Sequence, residues 1–141
     1  HTEAYPNPGD MMLGPMACLI DPYSASDGDL FPWQFKFYDL GPLIGDRSWG
    51  GVVGIRSSLP LIDGSDLRKP EFSRYDTSGS EWLIEGYGVD PDIEVVNDPV
   101  EEFRGQDAQL QRAVDYLLEE LKKQPVGLPQ APPYPNKSGK N

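Results

Sequence analysis

The amino-acid sequence predicts an α/β fold. Residues 15–20 form a short and almost continuous apolar run, which is typical of a strand that is buried on both faces of a sheet. Residues 107–123 repeat apolar side chains at the spacing of an amphipathic helix. The chain has 141 residues, which is enough for one domain with a modest core or for a piece of a larger domain.

The N-terminal 14 residues are rich in Pro, Asn, Gly and Met, and we expect an extended lead-in there. The first strand should follow over residues 15–20. It should end at Asp21-Pro22, because the residue before a proline and the proline itself both interrupt regular structure.

A helix is expected next, running to about Asp39 and ended by Gly41-Pro42. The small and acidic residues of segment 24–29 can cap its N-terminus by accepting unpaired N–H groups. Pro32 suits a first helical turn, where its missing N–H costs nothing. Three aromatic residues recur at the spacing of one helical face: Phe31, Phe35 and Tyr38.

The middle of the chain, residues 43–96, is predicted to hold short strands separated by turns. Turn signals stand at Asp63-Gly64, Ser78-Gly79 and Asp90-Pro91. The predicted strands cover residues 43–44, 51–55, 59–62, 71–75, 82–84 and 92–96.

The helix over 107–123 is the clearest element, with acidic Asp107 at its start and Lys122-Lys123 at its end, in accord with the helix dipole. Residues 125–141 contain five prolines and should form a tail or a strap across a neighbour. Three segments therefore result: a lead-in (1–14), a core (15–124) and a Pro-rich tail (125–141).

Charge and composition exclude several classes of function. Twelve Lys and Arg against 23 Asp and Glu give a net charge of −11, which disfavours nucleic acid and anionic membranes as partners. No apolar run approaches the ~18–20 residues of a membrane span, and no secretory signal is visible. The single Cys18 excludes an internal disulfide and favours a reducing, cytoplasmic compartment, unless a leader precedes residue 1.

Ser26 is the candidate nucleophile. A buried strand, a sharp turn and a serine at a helix start expose the hydroxyl, and the helix N-terminus offers N–H groups to a developing oxyanion. An ordinary N-cap serine is the structural alternative, and from spacing alone Ser24 competes for the same role.

Two further motifs are candidates on weaker grounds. Segment 46–54 contains three glycines, Gly50, Gly51 and Gly54, which indicate tight turns or a close approach of the backbone. The segment lacks the sequence pattern of a phosphate-binding loop. Glu85 stands between an apolar stretch and a glycine turn. It is either a partly buried carboxylate with a hydroxyl or imidazole partner, or a solvated turn acid.

Together these motifs resemble the tricorn branch of peptidase family S41, specifically the C-terminal part of its catalytic domain. The resemblance extends in order over about residues 15–123. It is carried by Ser-Ala-Ser-Asp-Gly-Asp at 24–29, Leu-Ile-Gly-Asp-Arg-Ser-Trp-Gly-Gly-Val-Val-Gly-Ile at 43–55, Leu-Ile-Asp-Gly at 61–64 and Glu-Gly-Tyr-Gly-Val-Asp-Pro-Asp-Ile-Glu-Val at 85–95.

The resemblance implies roles for individual residues. Ser26 matches the nucleophile, and the backbone N–H of Asp27 matches one oxyanion donor. Glu85 matches the acidic member of a Ser/His/Ser/Glu tetrad. Gly28 and Gly51 are the glycines that would border the substrate.

One departure within the family is informative. The processing-peptidase branch uses a lysine base after an Arg-x-aromatic motif, but here Arg47-Ser48-Trp49 is followed by Gly50 and then Gly51 where that lysine would stand. Lys36 does not match the motif either. The tricorn branch uses a histidine from an earlier part of the protein. His1, the single histidine, does not match that segment.

The resemblance therefore implies a layered fold of the crotonase/Clp-protease kind, present only as its C-terminal part, and a serine peptidase that lacks its base within this chain. It implies peptide substrates, no cofactor or metal, the remaining domains of the same protein as partners (an upstream half-domain, PDZ and propeller domains), and a homo-oligomer. An open sheet edge and apolar patches are expected. Two alternatives stay open: a non-catalytic module that binds peptides by strand addition, and a hydrolase that uses carboxylates from Asp27, Asp29 and Glu85.

Overall fold

The computed structural model describes residues 6–7, 12–127 and 129–135. His1 lies outside these residues. Eight elements follow one another: β1 (Cys18–Ile20), α1 (Asp27–Phe37), β2 (Leu43–Gly45), β3 (Gly54–Pro60), β4 (Asp66–Phe72), β5 (Ile93–Glu94), α2 (Pro99–Phe103) and α3 (Ala108–Lys123).

A parallel sheet organises the chain in the order β1-β2-β5. Leu19 pairs with Ile44, and Ile44 pairs with Ile93 on its other side. Helix α1 forms the crossover between β1 and β2, as parallel strands require, so the α/β prediction is confirmed. The expectation that the first strand is buried on both faces is wrong, because Leu19 is 41% exposed at the sheet edge.

Helix α1 lies where the sequence predicts a helix, but its buried face differs from the predicted one. Phe35 is buried at 6% exposure, whereas Phe31 and Tyr38 are 58% and 67% exposed. The face that turns inward carries Asp29 and Pro32 instead. Pro32 is the sixth residue of the helix, so the prediction of a first-turn proline is wrong.

Strands β3 and β4 form an antiparallel ribbon that is exposed on both faces of β4. Because burial does not define their ends, the predicted bounds are wrong in this region. Leu61 and Ile62 belong to the turn, where the Leu61 N–H donates to the Ser65 carbonyl at 2.8 Å. Trp82 forms a single bridge with Tyr75 in place of the predicted strand over 82–84.

Helix α3 confirms the strongest prediction from periodicity. Asp107 caps it, and its carboxylate accepts the Leu110 N–H at 2.9 Å. Its predicted apolar face is only partly packed, because Ala113 is buried while Leu110 and Leu118 are each 50% exposed. The short helix α2, capped by Asp98, was not predicted. The described tail residues 125–127 and 129–135 hold no helix or strand.

The core lies between the sheet and α1, and it is small: Ile20, Phe35, Leu43 and Val89. Outside it, an apolar groove of about 480 Å³ borders the edge of β1 that pairs with no strand of the described residues. It is lined by Cys18, Leu19, Phe31, Leu117 and their neighbours. The open edge and the apolar patch expected from the sequence are therefore both present among the described residues. No helix among the described residues is long and apolar enough to cross a membrane.

Candidate active site

Ser26 stands at a sharp elbow between β1 and α1. Its backbone has φ 56° and ψ −108°, a region that residues other than glycine rarely adopt. Such a conformation costs about 1–3 kcal/mol and persists only where neighbouring contacts impose it. Ser26 is exposed, so the elbow presents this serine at the surface.

The elbow is held by hydrogen bonds to the first turn of α1. The Ser26 N–H donates to Asp29 Oδ2 at 2.9 Å, and the Ser26 carbonyl accepts from the N–H groups of Asp29 and Leu30, both at 3.0 Å. The spacing of serine and acid is that of a capping box. The sequence therefore contains the capping-box pattern of Ser26 and Asp29. That pattern does not by itself distinguish a serine that only caps the helix from a nucleophilic serine.

The amides that follow Ser26 differ in their partners. The Gly28 N–H donates to the Ala25 carbonyl at 2.8 Å. The Asp27 N–H, the first of the helix, has no acceptor among the described residues. It therefore remains able to stabilise an anion at the positive end of α1. A Cβ at Gly28 would meet the Ser24 Cβ at an ordinary 3.5 Å, so nothing steric requires glycine there.

Ser24, the competing candidate, has a different environment. Its hydroxyl donates to Asp21 Oδ1 at 2.9 Å and accepts the Asp21 N–H at 3.1 Å. Its carbonyl also accepts the Trp49 N–H at 3.0 Å. The Ser24 hydroxyl is thus engaged in closing the turn after β1, whereas Ser26 occupies the elbow.

A glycine-containing loop, residues 50–53, lies beside the elbow and is bound by two carboxylates. Asp29 Oδ1 accepts the Gly50 N–H at 2.7 Å, and Asp29 Oδ2 accepts the Gly51 N–H at 3.1 Å. Glu85 Oε2 accepts the next two amides, those of Val52 at 2.7 Å and Val53 at 2.8 Å. Four consecutive N–H groups therefore connect Asp29, which binds the Ser26 amide, to Glu85.

At two positions of this loop, only glycine fits without a steric clash. A Cβ at Gly51 would overlap the Trp49 ring, 2.1 Å from its nearest atom. Gly50 has φ +85°, and a Cβ there would lie 2.5 Å from the Gly88 nitrogen. The amide of Gly51, a candidate for contact with substrate, is already bound to Asp29.

Glu85 is exposed and sits on a strained turn. The preceding Ile84 has φ 30°, which is an outlier for a β-branched residue. The Ile84 carbonyl accepts the N–H groups of Tyr87 at 3.0 Å and Gly88 at 2.8 Å, which hold the turn closed. The Gly86 N–H donates to the Gly50 carbonyl at 2.7 Å, so the two loops are joined directly.

Buried Ser48 joins the same two loops from the other side. It is 4% exposed, and its hydroxyl accepts the Val89 N–H at 2.8 Å. Nearby, Arg47 stacks over the Tyr87 ring at 4.1 Å and forms an ion pair with Asp90 at 2.6 Å. The hydrogen bond from the Tyr87 hydroxyl, together with Arg47, holds the pKa of Asp90 below its usual value.

The lysine and the three carboxylates of the alternative mechanisms are engaged in other contacts or exposed. Lys36 forms an ion pair with Asp92 at 2.7 Å, as expected for a lysine outside the family motif. Asp29 and Glu85 bind different amides, and Asp27 is exposed. Among the described residues, no three His, Cys, Asp or Glu side chains are grouped so that they could hold a metal ion.

The comparisons with known proteins agree with this geometry. Residues 2–95 match the model of the family described as "Peptidase family S41". The chain is 44% identical over 126 residues to the tricorn protease of Thermoplasma volcanium. It is 43% identical over 117 residues to a putative tricorn-like protease C-terminal subunit of Sulfurisphaera tokodaii.

A solved structure is also similar. The crystal structure of the tricorn protease has a TM-score of 0.78 and 41% sequence identity, and the match covers 86% of this chain but 12% of that one. The Thermoplasma volcanium relative is likewise covered to 12% of its length and this chain to 89%. The chain therefore spans about an eighth of these relatives, as expected of one part of a larger fold.

Proposed function

The chain belongs to peptidase family S41, and on that premise we propose that it carries the nucleophile of a serine peptidase. Ser26 forms the acyl-enzyme, the Asp27 N–H stabilises the oxyanion, and Glu85 is the acidic member of the catalytic group. The general base is a histidine from a part of the enzyme outside this chain. The 141-residue chain alone is accordingly inactive.

The observation that carries the proposal is the backbone of Ser26. An exposed serine held at φ 56° and ψ −108° between a parallel strand and a helix N-terminus has the arrangement that nucleophile elbows use. An ordinary N-cap has extended backbone angles, as Asp98 and Asp107 show in this molecule. Strain at one cap and not at the others supports a chemical role.

The proposed reaction is acyl transfer to water. The histidine takes the Ser26 Oγ proton while Oγ attacks the peptide carbonyl, and the carbonyl electrons move onto its oxygen. The Asp27 N–H stabilises this oxyanion, a contribution worth about 10²–10³ in rate for one such donor. The intermediate then collapses, the amine leaves with the proton, and water releases the acid by the same steps in reverse.

Glu85 acts through its neighbours. One of its oxygens, Oε2, holds the Val52 and Val53 amides. Its other oxygen can accept a hydrogen bond from the hydroxyl of the second serine of the family's tetrad. That serine in turn orients the histidine. Glu85 thereby fixes the position of the external base relative to the loop at 50–53.

The partners follow from the same proposal. Peptides are the substrate, the remaining domains of the same protein complete the site, and a homo-oligomer in the cytoplasm is the assembly. The apolar groove beside β1 and the half-exposed α3 supply surface for those neighbours.

The test compares two serines two residues apart. In the full-length enzyme, Ser26→Ala should abolish peptide turnover and covalent labelling by a fluorophosphonate, with the fold retained. Ser24→Ala removes a hydroxyl of the same turn and serves as the matched control. It should keep the label on Ser26, because its hydroxyl binds Asp21 and not the substrate.

Each outcome decides between interpretations. Turnover retained in Ser26→Ala, or a label on Ser24, would overturn the assignment of the nucleophile. A wild-type protein that takes no label but binds peptides would favour the non-catalytic peptide-binding module. Labelling of the isolated 141-residue chain at the full enzyme's rate would contradict an external base.

A further inference from the structure

A buried carboxylate beside the elbow has no part in the reaction as proposed above. Asp29 is 0% exposed, and no other charged side chain among the described residues is buried to that degree. Burying an ionised carboxylate is costly unless hydrogen bonds replace its water. Asp29 receives three such bonds, all from backbone N–H groups.

The donors of these bonds belong to two separate segments. Ser26 contributes its own amide at 2.9 Å, and Gly50 and Gly51, more than 20 residues away in the sequence, contribute theirs at 2.7 and 3.1 Å. Asp29 Oδ2 is shared between Ser26 and Gly51. The position of the nucleophile's amide is thereby tied to the loop whose next two amides bind Glu85.

We propose that Asp29 is a positioning residue, which keeps Ser26 in its strained conformation and in register with Glu85. The proposal rests on Ser26 being the nucleophile. Without the carboxylate, the Ser26 N–H loses its acceptor, and the helix holds Ser26 only through its carbonyl. An ordinary N-cap with extended angles makes those carbonyl bonds too, so they do not oppose relaxation from positive φ. That relaxation moves both Oγ and the Asp27 N–H away from the attacking geometry.

Asparagine at this position tests the idea with little change in volume. An amide has one acceptor oxygen, so its NH₂ group would face either Gly50 or the Ser26–Gly51 pair, donor against donor. Either orientation breaks the link between elbow and loop. A small displacement of a reacting group is sufficient to lower a rate by ~10²-fold.

The experiment uses the full-length enzyme carrying Asp29→Asn. We expect the rate constant for fluorophosphonate labelling of Ser26 and kcat for a peptide both to fall about 10–10²-fold, with KM changed less than about threefold. A role confined to stability would lower the unfolding midpoint and leave both rates unchanged in the folded protein.

Asp92→Asn is the matched control. Asp92 also accepts a backbone amide, that of Leu43 at 2.9 Å, but it is not bound to the elbow or to the loop at 50–53. This variant keeps an oxygen that can accept the Leu43 N–H and loses the charge that pairs with Lys36 of α1 at 2.7 Å, and it should keep the wild-type labelling rate. If Asp29→Asn does not fold, Asp29→Ser, which leaves one neutral acceptor in the first turn, takes its place.

The outcomes separate this proposal from the one it rests on. A wild-type enzyme that does not label at Ser26 refutes the nucleophile itself. Normal labelling of the wild type together with a normal rate in Asp29→Asn overturns the positioning role alone. A rate loss of the same size in Asp92→Asn, or failure of both Asp29 variants to fold, would reduce Asp29 to a residue of general stability and also overturn it.

Discussion

Removing the Glu85 carboxylate should free two amides that are far from it in sequence. Glu85 Oε2 accepts the Val52 and Val53 N–H groups at 2.7 and 2.8 Å. A hydrogen bond to a charged group contributes about 1.5–3 kcal/mol and a neutral one about 0.5–1.5. Because Glu85 is exposed and water replaces lost partners, we take about 1 kcal/mol for each bond.

Two substitutions of Glu85 should increase amide exchange at Val52 and Val53 by different amounts. Glu85→Ala loses both bonds, about 2 kcal/mol in local opening free energy, which corresponds to roughly 30-fold faster amide exchange at Val52 and Val53. Glu85→Gln keeps an acceptor oxygen and loses only the charge, about 1 kcal/mol and roughly 5-fold.

Hydrogen exchange of the 50–53 segment in the full-length protein is the assay, with Glu81→Ala as the control. Glu81 is an exposed acid four residues away, on the same stretch of chain, and the carboxylate bonds to Val52 and Val53 come from Glu85. Equal exchange in Glu85→Ala and Glu81→Ala would refute the claim that this carboxylate holds the loop. If Gln exchanged as fast as Ala, the carboxylate charge would account for the whole effect.

Two further predictions test the packing and the titration. In urea unfolding of this chain on its own, Phe35→Ala, at a 6% exposed position, should lower the free energy of unfolding by about 3–5 kcal/mol. Phe31→Ala, at a 58% exposed position one turn away, should lower it by less than about 0.5 kcal/mol, because the groove that Phe31 lines is then open. Equal losses would show that the face predicted from periodicity is the buried one. The Ser78 hydroxyl, followed by the Glu81 amide, lowers the pKa of Asp76 to about 2. Since this lies below the unfolded value of ~3.9, the stabilisation is complete above about pH 4 and is lost as the pH falls through 2. Carboxyl NMR should show that low midpoint, Ser78→Ala should raise it, and a wild-type midpoint near 4 would contradict the turn.

Local chemistry explains why helices were predicted better than strands. Asp107 and the apolar repeat after it specify α3 within one stretch of sequence, and the structure ends that helix at Lys123 as predicted. In the ribbon of β3 and β4, every residue of β4 is exposed. The ends of β3 and β4 depend on which backbone N–H and carbonyl groups pair. The pattern of side chains does not predict that pairing when no face of a strand is buried.

The candidate site divides in the same way. The order of small and acidic residues at 24–29 indicates an elbow with Ser26 at a helix start, and the flanking motifs identify Glu85. Neither pattern indicates that Asp29 turns inward to bind Gly50 and Gly51. From the sequence, Asp29 is a candidate only as one of three carboxylates in an alternative hydrolase.

The sequence by itself determined the α/β class, the strong C-terminal helix and the family, because each depends on neighbours within a few residues or on the order of short motifs along the chain. Only the tertiary structure decided which face of α1 is buried, which serine hydroxyl closes the turn, and which carboxylate holds which amides. The physical reason is that a hydrogen bond between residues 29 and 50, or 85 and 52, exists only after the sheet has brought distant segments together, and no local periodicity encodes it.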